Sequence, residues 1–301
     1  MEQCDPIGAR LDRLPLSRFH FRIFGIISFS LLITGFLSYS GNIVLAKLVS
    51  NGWSNNYLNA TFTSALMFGY FIGSLTGGFM GDYLGRRKAF RVNLLIVGIS
   101  ACAATFVPNM YWLIFFRCLM GCGMGALIMV GYASFTEFIP PAVRGKWSAR
   151  LSFVGNWSPM LSAAIGVVVI AFLSWRMMFL LGGAAMLLAW YLSGKYFIES
   201  PRWLAGKGQR NAAEKHLLQV ELQIEKEKSI TLPPWQGAGP AEPCAESGSF
   251  WLLFKGQMLR RTLVAITVLI AMNISLYTIT VWIPTIFVNS GIDVTKSILM
   301  T

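Results

Sequence analysis

Residues 77–88 read Gly77-Gly78-Phe79-Met80-Gly81-Asp82-Tyr83-Leu84-Gly85-Arg86-Arg87-Lys88, an apolar, glycine-rich segment that ends in a tight group of charges. Long apolar runs precede and follow this stretch, so the charged group occupies a short loop between two apolar segments. Asp82 supplies an acid, Gly85 a flexible turn, and the arginines supply forked cationic donors. These residues can form a charge-locked hinge between neighbouring helices.

The apolar segment before the charges carries a glycine at every fourth residue, namely Gly69, Gly73, Gly77 and Gly81. Residues four apart lie on one helix face, and glycine lets a second helix approach closely. We therefore predict a helix-packing groove along this face. The alternative interpretation of the stretch is a positively charged loop that merely follows a packing helix.

The composition places the chain in a lipid environment. Of its 301 residues 55% are hydrophobic and only 13% are charged, and the mean hydropathy is +0.58. Soluble domains carry about twice this charged share. The chain is therefore expected to have the lipid bilayer as its solvent.

Seven apolar runs approach the roughly 20 residues that cross a bilayer as a helix. They cover approximately residues 23–48, 58–80, 92–107, 110–132, 151–173, 177–196 and 263–288. An eighth run begins near Ser297. The fold class predicted from this pattern is an all-α polytopic membrane protein.

The net charge of +12 is explained by membrane topology. Most of the 25 Lys and Arg residues fall in alternate loops, on the same side as the N-terminus, and this side is predicted to be cytoplasmic. No nucleic-acid partner is expected, because short loops of a polytopic protein require this basic excess.

The cysteines indicate neither disulfides nor a metal site. They show no Cys-x-x-Cys spacing, and Cys118 and Cys122, although on one helix face, have no histidine or acid beside them. No cofactor is expected. His20 and His216 lie outside the predicted spans, no Ser/His/Asp set appears, and the chain is predicted not to be an enzyme.

Arg117 is the strongest candidate for a functional residue, because it lies inside the otherwise apolar fourth span. A central cation costs on the order of 3 kcal/mol, so Arg117 must face a partner, a water-filled cavity or a bound anion. The alternative is an arginine that reaches toward the outer membrane surface.

Other polar residues within the spans are candidates for a solute cavity. Two of the three sets have a structural alternative. It is a helix-packing notch with hydroxyls bonded back to the helix in the first span and a plain proline kink in the fifth. The candidates are Ser38, Tyr39 and Asn42 in the first span, Asn156 and Trp157 in the fifth, and Asn273 and Tyr277 in the seventh.

Two further loops carry charged motifs. Residues 137–145 place Glu137 seven residues before Arg144 and Gly145, across a proline turn, so that the acid and the arginine can fold back into an ion pair. The sixth span ends in Glu199-Ser200-Pro201-Arg202-Trp203-Leu204, where the proline ends the helix.

These motifs, in this order, resemble those of the major facilitator superfamily of secondary transporters. The resemblance covers nearly the whole chain: the loop after the second helix, the arginine and glycines of the fourth helix, and the two loop motifs above. It implies rocker-switch alternating access around a midplane site. The residues that it assigns to a cytoplasmic gate and its motifs are Gly78, Asp82, Gly85, Arg86, Arg87, Glu137, Arg144, Gly145, Glu199, Pro201 and Arg202.

Within the superfamily, the motifs resemble the sugar-porter, aromatic-acid and metabolite branches. The seventh span lacks the paired glutamine of sugar porters, whose positions fall at about Ala271 and Met272, and Val281-Trp282-Ile283-Pro284-Thr285 is more similar to the aromatic-acid branch. The function implied is secondary active or facilitative transport of an organic acid, sugar or polyol across the inner membrane.

The coupling ion is left open. Many proton-coupled relatives carry an aspartate near the positions of Ser38 and Tyr39, and no acid lies at midplane depth in the predicted spans. Two alternatives to proton symport therefore follow: Arg117 anchors an anionic solute, or the protein is a facilitator without a proton carrier.

The resemblance also predicts the division of the chain. Residues 1–197 form a six-helix bundle, 198–258 a cytoplasmic linker with a surface helix at 209–228, and 259–301 the start of a C-terminal bundle. Because the superfamily normally has twelve spans, a truncated, non-transporting fragment or a half-transporter is the alternative function. A seven-span channel or receptor is a further alternative, although it gives no reason for the glycines or the charged loops.

Overall fold

The structure is a computed structural model that describes residues 6–50, 52–229, 232 and 254–289. Residues 230, 231 and 233–253 of the predicted linker and the predicted start of an eighth span lie outside these ranges, as does the side chain of Tyr277. The chain divides into two compact units, Met1–Pro240 and Ala241–Thr301. The two units are defined by the contacts within each of them and not by membrane topology. The predicted boundaries at residues 197 and 258 therefore stay a prediction.

Every regular element in the described ranges is a helix. The helices are α1 (Pro6–Asp12), α2 (Arg18–Ser50), α3 (Asn56–Leu84), α4 (Arg86–Ala104), α5 (Met110–Phe138), α6 (Pro141–Gly155), α7 (Ser158–Phe172), α8 (Arg176–Tyr196), α9 (Pro201–Gly206), α10 (Arg210–Lys228) and, in the second unit, α11 (Gly256–Asn289). The predicted surface helix at 209–228 corresponds to α10.

Five helical segments in the described part of the chain are long and apolar enough to cross a membrane. They are Arg18–Leu45, Met110–Phe138, Pro141–Ile170, Arg176–Tyr196 and Gly256–Ser275. The predicted second and third spans form α3 and α4, whose apolarity is lowered by glycine and hydroxyl residues in α3 and by the N-terminal cations of α4.

Side-chain caps fix where several helices begin. Asn55 accepts a hydrogen bond from the Leu58 backbone N at 2.8 Å, and Asn109 accepts one from Trp112 N at 3.1 Å. The Ser200 hydroxyl caps α9 in the same way, by accepting from Trp203 N at 3.3 Å. Such caps satisfy backbone donors that the first turn of a helix leaves unpaired.

The predicted packing groove of α3 is present, and α5 occupies it. A Cβ atom added to Gly73 would lie 1.9 Å from the Cys122 carbonyl oxygen, and one added to Gly69 would lie 2.2 Å from the Cys118 oxygen. Gly125 of α5 likewise faces the Tyr70 oxygen at 2.4 Å. The two helices therefore touch backbone to backbone, as small residues at membrane helix interfaces allow.

The predicted fifth span is divided between α6 and α7, with Asn156 and Trp157 at the junction. Pro159 lacks the N–H that would bond the Gly155 carbonyl, and the Ser158 hydroxyl donates to that oxygen instead at 2.6 Å. The structure therefore contains the proline kink. Gly35 of α2 packs here, since a Cβ added to it would lie 2.0 Å from Ser158 Oγ.

The N-terminal helix α1 packs against α9 and α10. Ile7, Leu11 and Leu14 are buried, and Glu221 of α10 accepts hydrogen bonds from Arg13 Nη2 at 3.0 Å and from Arg10 Nε at 3.2 Å. This end of the chain is thus joined to the segment that follows α8 through apolar contacts and ion pairs.

Candidate functional site

Arg86, the first residue of α4, joins the ends of three helices. Its Nη1 donates to Asp82 Oδ1 of α3 at 2.8 Å, and its Nε donates to Glu137 Oε1 of α5 at 2.9 Å. We call Asp82, Arg86 and Glu137 the charge cluster. Burial alone lowers the pKa of Arg86, but the two carboxylates outweigh this effect and hold the pKa above its ordinary value. Arg86 therefore stays charged, and the contact is electrostatic.

Gly85 allows the chain to turn between α3 and α4 directly beside Glu199. Its φ is +94° and its ψ is 157°, a conformation that essentially only glycine adopts. A Cβ atom here would lie 2.6 Å from Glu199 Oε2, while Glu199 Oε1 accepts from the Arg87 backbone N at 3.1 Å. Trp203 Nε1 also donates to the Asp82 carbonyl oxygen at 2.9 Å. The loop after α8 is thereby attached to the α3–α4 turn.

Replacing Gly85 with alanine is expected to destabilise the protein by about 1–3 kcal/mol, because the new side chain meets both a strained backbone and the Glu199 carboxylate. Thermal unfolding in detergent measures the change. Gly145→Ala is the matched control, since an added Cβ at Gly145 meets nothing within 4 Å. Equal melting temperatures for the two variants would contradict the role given to Gly85.

The expected ion pair between Glu137 and Arg144 is absent, and that prediction was wrong. Glu137 pairs with Arg86, while Arg144 Nη2 lies 3.9 Å from Asp12 Oδ1 and 3.4 Å from the Ile139 carbonyl oxygen. The chain starts α6 immediately after Pro140, which directs Arg144 away from the end of α5.

Asp12 is the acid that sequence reasoning missed. Besides lying near Arg144, its carboxylate accepts a hydrogen bond from Arg202, whose Nη2 also donates to the Gly8 carbonyl oxygen at 3.3 Å. Asp12 thus links two of the motif arginines. It is the one acid in the arginine-rich segment 10–22, and this is the signal in the sequence that could have identified it.

The remaining motif residues do not join the charge cluster directly. Arg87 Nη2 donates to the Gly194 carbonyl oxygen at 2.7 Å, and Pro201 occupies the buried first turn of α9. Gly78 and Gly145 have no atom within 4 Å of an added Cβ. Among the described residues, the structure therefore gives Gly78 and Gly145 no specific contact.

Arg117 is fully enclosed, with 1% of its surface exposed. Its Nη1 donates to the Leu37 carbonyl oxygen and its Nη2 to the Ser38 oxygen, both at 2.7 Å, and its Cζ lies 4.8 Å from the Phe62 ring centroid. A Cβ atom added to Gly41 would lie 2.2 Å from Nη2. The arginine of α5 therefore binds the backbone of α2 where Gly41 leaves room.

The polar stretch of α2 does not interrupt the helix. The hydroxyls of Thr34 and Ser38 donate to carbonyl oxygens one turn earlier, at 2.8 and 2.9 Å, as the packing-notch alternative expects. Ser38 Oγ also lies 2.7 Å from the Tyr70 hydroxyl oxygen and 3.8 Å from Met124 Sδ. The structure thus brings Ser38 and Arg117 together, with Tyr70 as a neighbour that the sequence did not reveal.

The other cavity candidates lie on the surface of the unit to which each belongs. They are Tyr39, which is 37% exposed, Trp157, which is 50% exposed, and the exposed residues Asn42, Asn156 and Asn273. Their assignment to a solute cavity stays a prediction.

The fold and the site define a polytopic helical membrane protein whose loops are joined by arginine–carboxylate contacts. The sequence pattern of the Major Facilitator Superfamily matches residues 25–301. The chain belongs to this superfamily, whose members are transporters and not enzymes.

Named relatives cover nearly all of this chain. The inner membrane metabolite transport protein YdjE of Escherichia coli K12 is 82% identical over 302 residues, which are 100% of this chain and 67% of the relative. The putative metabolite transport protein YdjK of the same strain is 39% identical over 97% of this chain and 64% of the relative. The niacin transporter NiaP of Acinetobacter baylyi is 28% identical over 96% and 64%. The chain therefore spans about two thirds of the length of these relatives.

Solved structures show the same fold. The proton:xylose symporter XylE bound to 6-bromo-6-deoxy-D-glucose matches with a TM-score of 0.69 and 16% identity, over 94% of this chain and 65% of that chain. A double Trp mutant of XylE matches with a TM-score of 0.71 and 17% identity, over 94% and 66%. At these identities the likeness concerns the fold alone.

Proposed function

We propose that the protein moves a small polar organic solute, an organic acid, sugar or polyol, across the bacterial inner membrane by alternating access, with its N-terminus in the cytoplasm. The observation that carries the proposal is the contact of Arg86 with Asp82 and Glu137, which joins the ends of α3, α4 and α5. Contacts of this kind serve transport when they form in one conformation and break in the other. The names of the relatives YdjE and NiaP support a metabolite as the solute.

The solute site is proposed near the middle of the bundle, around Ser38. Its hydroxyl and that of Tyr70 are polar groups at membrane depth, where such groups mark solute pathways. Arg117 is enclosed by α2 in this conformation. An anionic solute would therefore contact the guanidinium only after α2 moves away from α5, whereas a neutral solute needs only the hydroxyls.

Proton coupling is the open part of the proposal. Among the residues that the structure describes, no carboxylate lies within 4.0 Å of the Arg117 guanidinium. A facilitator, or a transporter with Arg117 as an anion anchor, accounts for this arrangement without a proton carrier. Symport is the alternative, and the collapse of solute accumulation by a protonophore would identify it.

Uptake is expected to depend on Arg86. Cells that produce the protein receive a mixture of organic acids, sugars and polyols, and mass spectrometry measures what accumulates inside. Arg86→Ala is expected to lower the uptake rate at least about tenfold, since its partly buried hydrogen bond to Glu137 contributes about 1.5–3 kcal/mol, whereas the bond to the exposed Asp82 adds little. A second strain produces residues 1–301 joined to the part of the E. coli relative YdjE that this chain does not cover.

Lys88→Ala is the control for this experiment. Lys88 is exposed, lies two residues from Arg86 and has no described carboxylate within 4.0 Å, so its removal changes the charge of the loop without breaking the cluster. Equal uptake by the two variants would reject the role of the charge cluster. Failure of both strains to accumulate any solute, with membrane insertion confirmed, would reject the transport proposal itself.

A further inference from the structure

Two arginines of α4 lie against the last turns of α8 and contact the same glycine. Arg87 Nη2 donates to the Gly194 carbonyl oxygen at 2.7 Å, and a Cβ atom added to Gly194 would lie 3.1 Å from Arg91 Nη2. The missing side chain of Gly194 therefore makes room for the Arg91 guanidinium, while Arg87 binds the carbonyl oxygen of the same residue. We call Arg87 and Arg91 the arginine pair.

The arginine pair has no anionic partner among the residues that the structure describes. No carboxylate in these ranges lies within 4.0 Å of either guanidinium, and Glu199 bonds the backbone of Arg87 instead. The Nε atoms of both arginines are buried and find no acceptor among the described residues. Two like charges on one glycine repel each other, and partial burial strengthens the repulsion. An anion bound beside the pair would offset this repulsion.

Arg86, one residue before the pair, shows the contrast. It also belongs to the first two turns of α4, yet Asp82 and Glu137 neutralise it. The absence of a nearby carboxylate thus distinguishes Arg87 and Arg91 from Arg86, within the part of the chain that the structure describes.

Aromatic residues in the last two turns of α8 lie against cations, as is typical of a membrane interface. Arg91 Cζ lies 5.0 Å from the Trp190 ring centroid, and Lys195 Nζ lies 5.3 Å from that of Tyr196. Tryptophan and tyrosine concentrate at the level of the lipid headgroups. Apolar side chains of the same two helices are exposed, including Val92 and Ile99 of α4 and Leu188 of α8. Val92 follows Arg91 directly, and the other two lie about two helical turns from the pair, so the acyl chains of a lipid bound at the pair would run along these helices.

We propose that the arginine pair binds the phosphate of an anionic phospholipid headgroup, with phosphatidylglycerol as the probe. Forked guanidinium donors match phosphate oxygens, and basic pockets between membrane helices recognise lipid headgroups. The exposed apolar faces of α4 and α8 favour a lipid over a free phosphate ion, because a free ion would gain nothing from them. This site is separate from the charge cluster and does not depend on the transported solute.

Native mass spectrometry of the purified protein, titrated with phosphatidylglycerol or phosphatidylcholine, tests the proposal. The wild type is expected to retain phosphatidylglycerol in preference to phosphatidylcholine. The double variant Arg87→Gln, Arg91→Gln is expected to bind phosphatidylglycerol about thirtyfold more weakly, since each cation near the headgroups contributes about fivefold in affinity.

The double variant Lys146→Gln, Arg150→Gln is the matched control. It removes the same charge, and Arg150 also stacks on a tryptophan, with its Cζ 4.9 Å from the Trp147 ring centroid, but both side chains are exposed. Its affinity for phosphatidylglycerol is expected to equal that of the wild type. An equal loss in the two double variants would mean that only total charge matters and would overturn the site.

Gly194→Ala provides a second variant in case the double arginine variant does not fold. It keeps every charge but displaces the Arg91 guanidinium, and weaker phosphatidylglycerol retention is expected. If the arginine variant does not fold, wild-type retention of phosphatidylglycerol by Gly194→Ala would overturn the proposal. If both variants fold, wild-type retention by both would overturn it. Inorganic phosphate alone is the last arm: if it raises the melting temperature as much as phosphatidylglycerol does, the site binds a free anion and the lipid assignment fails.

Discussion

Gly73→Ala is expected to remove most of the folded protein. The added methyl group would lie 1.9 Å from the Cys122 carbonyl oxygen, and the contact is with backbone, so no side-chain rotation relieves it. The two helices α3 and α5 must separate along their whole interface. We expect a loss of about 3 kcal/mol or more, which is the range of severe packing defects. The fraction of monodisperse protein and the melting temperature in detergent report the effect.

Gly78→Ala is the control for this prediction, because it makes the same change five residues further along α3. An added Cβ there meets nothing within 4 Å, and alanine favours a helix over glycine by about 1 kcal/mol or less. Its melting temperature is therefore expected to be unchanged or slightly higher. A Gly73→Ala protein as stable as Gly78→Ala would disprove the backbone contact between α3 and α5.

Arg117→Ala is expected to detach α2 from α5. The substitution removes two charge-assisted hydrogen bonds to the carbonyl oxygens of Leu37 and Ser38 and leaves a void beside Phe62. We expect a destabilisation of about 3 kcal/mol, since hydrogen bonds to charged groups contribute about 1.5–3 kcal/mol each. Thermal unfolding measures it. Gly41→Ala should lower stability in the same direction, because its Cβ would lie 2.2 Å from Arg117 Nη2.

Arg150→Ala is the matched control for Arg117, since Arg150 also stacks on an aromatic ring but is exposed. Surface substitutions of this kind change stability by about 0.5 kcal/mol or less. Equal melting temperatures for Arg117→Ala and Arg150→Ala would contradict the role of Arg117 in holding α2. The anion-anchor hypothesis is judged separately, by the affinity for a carboxylated solute. It requires at least about thirtyfold weaker affinity in Arg117→Ala, because removing one partner of a buried charge pair costs about 2 kcal/mol or more, and unchanged affinity would reject it.

Features that repeat along one helix were predictable from the sequence. The glycine spacing predicted a packing face on α3, and the packing is present because period-four glycines leave one continuous strip of exposed backbone. The contact of Arg86 with Asp82 was also predictable from the sequence, since the two residues lie one turn apart across a glycine. Arg117 could be identified as needing a partner, but its partners are backbone carbonyls, which leave no mark in a sequence.

Contacts between distant segments were not predictable in this way. The proximity of Glu137 and Arg144 along the chain suggested a pair, but the direction of α6 after Pro140 separates them. Asp12 contacts Arg202, which is 190 residues away, and only the packing of α1 on α9 brings the two together. A lone acid among arginines does not reveal which arginine it will meet.

Direct contact between the backbones of α3 and α5 also limits how the bundle can deform. Interfaces filled by long side chains can slide, because rotamers change as the helices shift. Between Gly73 and Cys122 there is no side chain that could adjust, so the two helices move as one rigid body or not at all. Bending is easier at the junction of α6 and α7, where Pro159 removes a backbone hydrogen bond and the Ser158 hydroxyl replaces it. The bundle is therefore expected to bend most easily between α6 and α7, whereas α3 and α5 are expected to move together as a stiff unit.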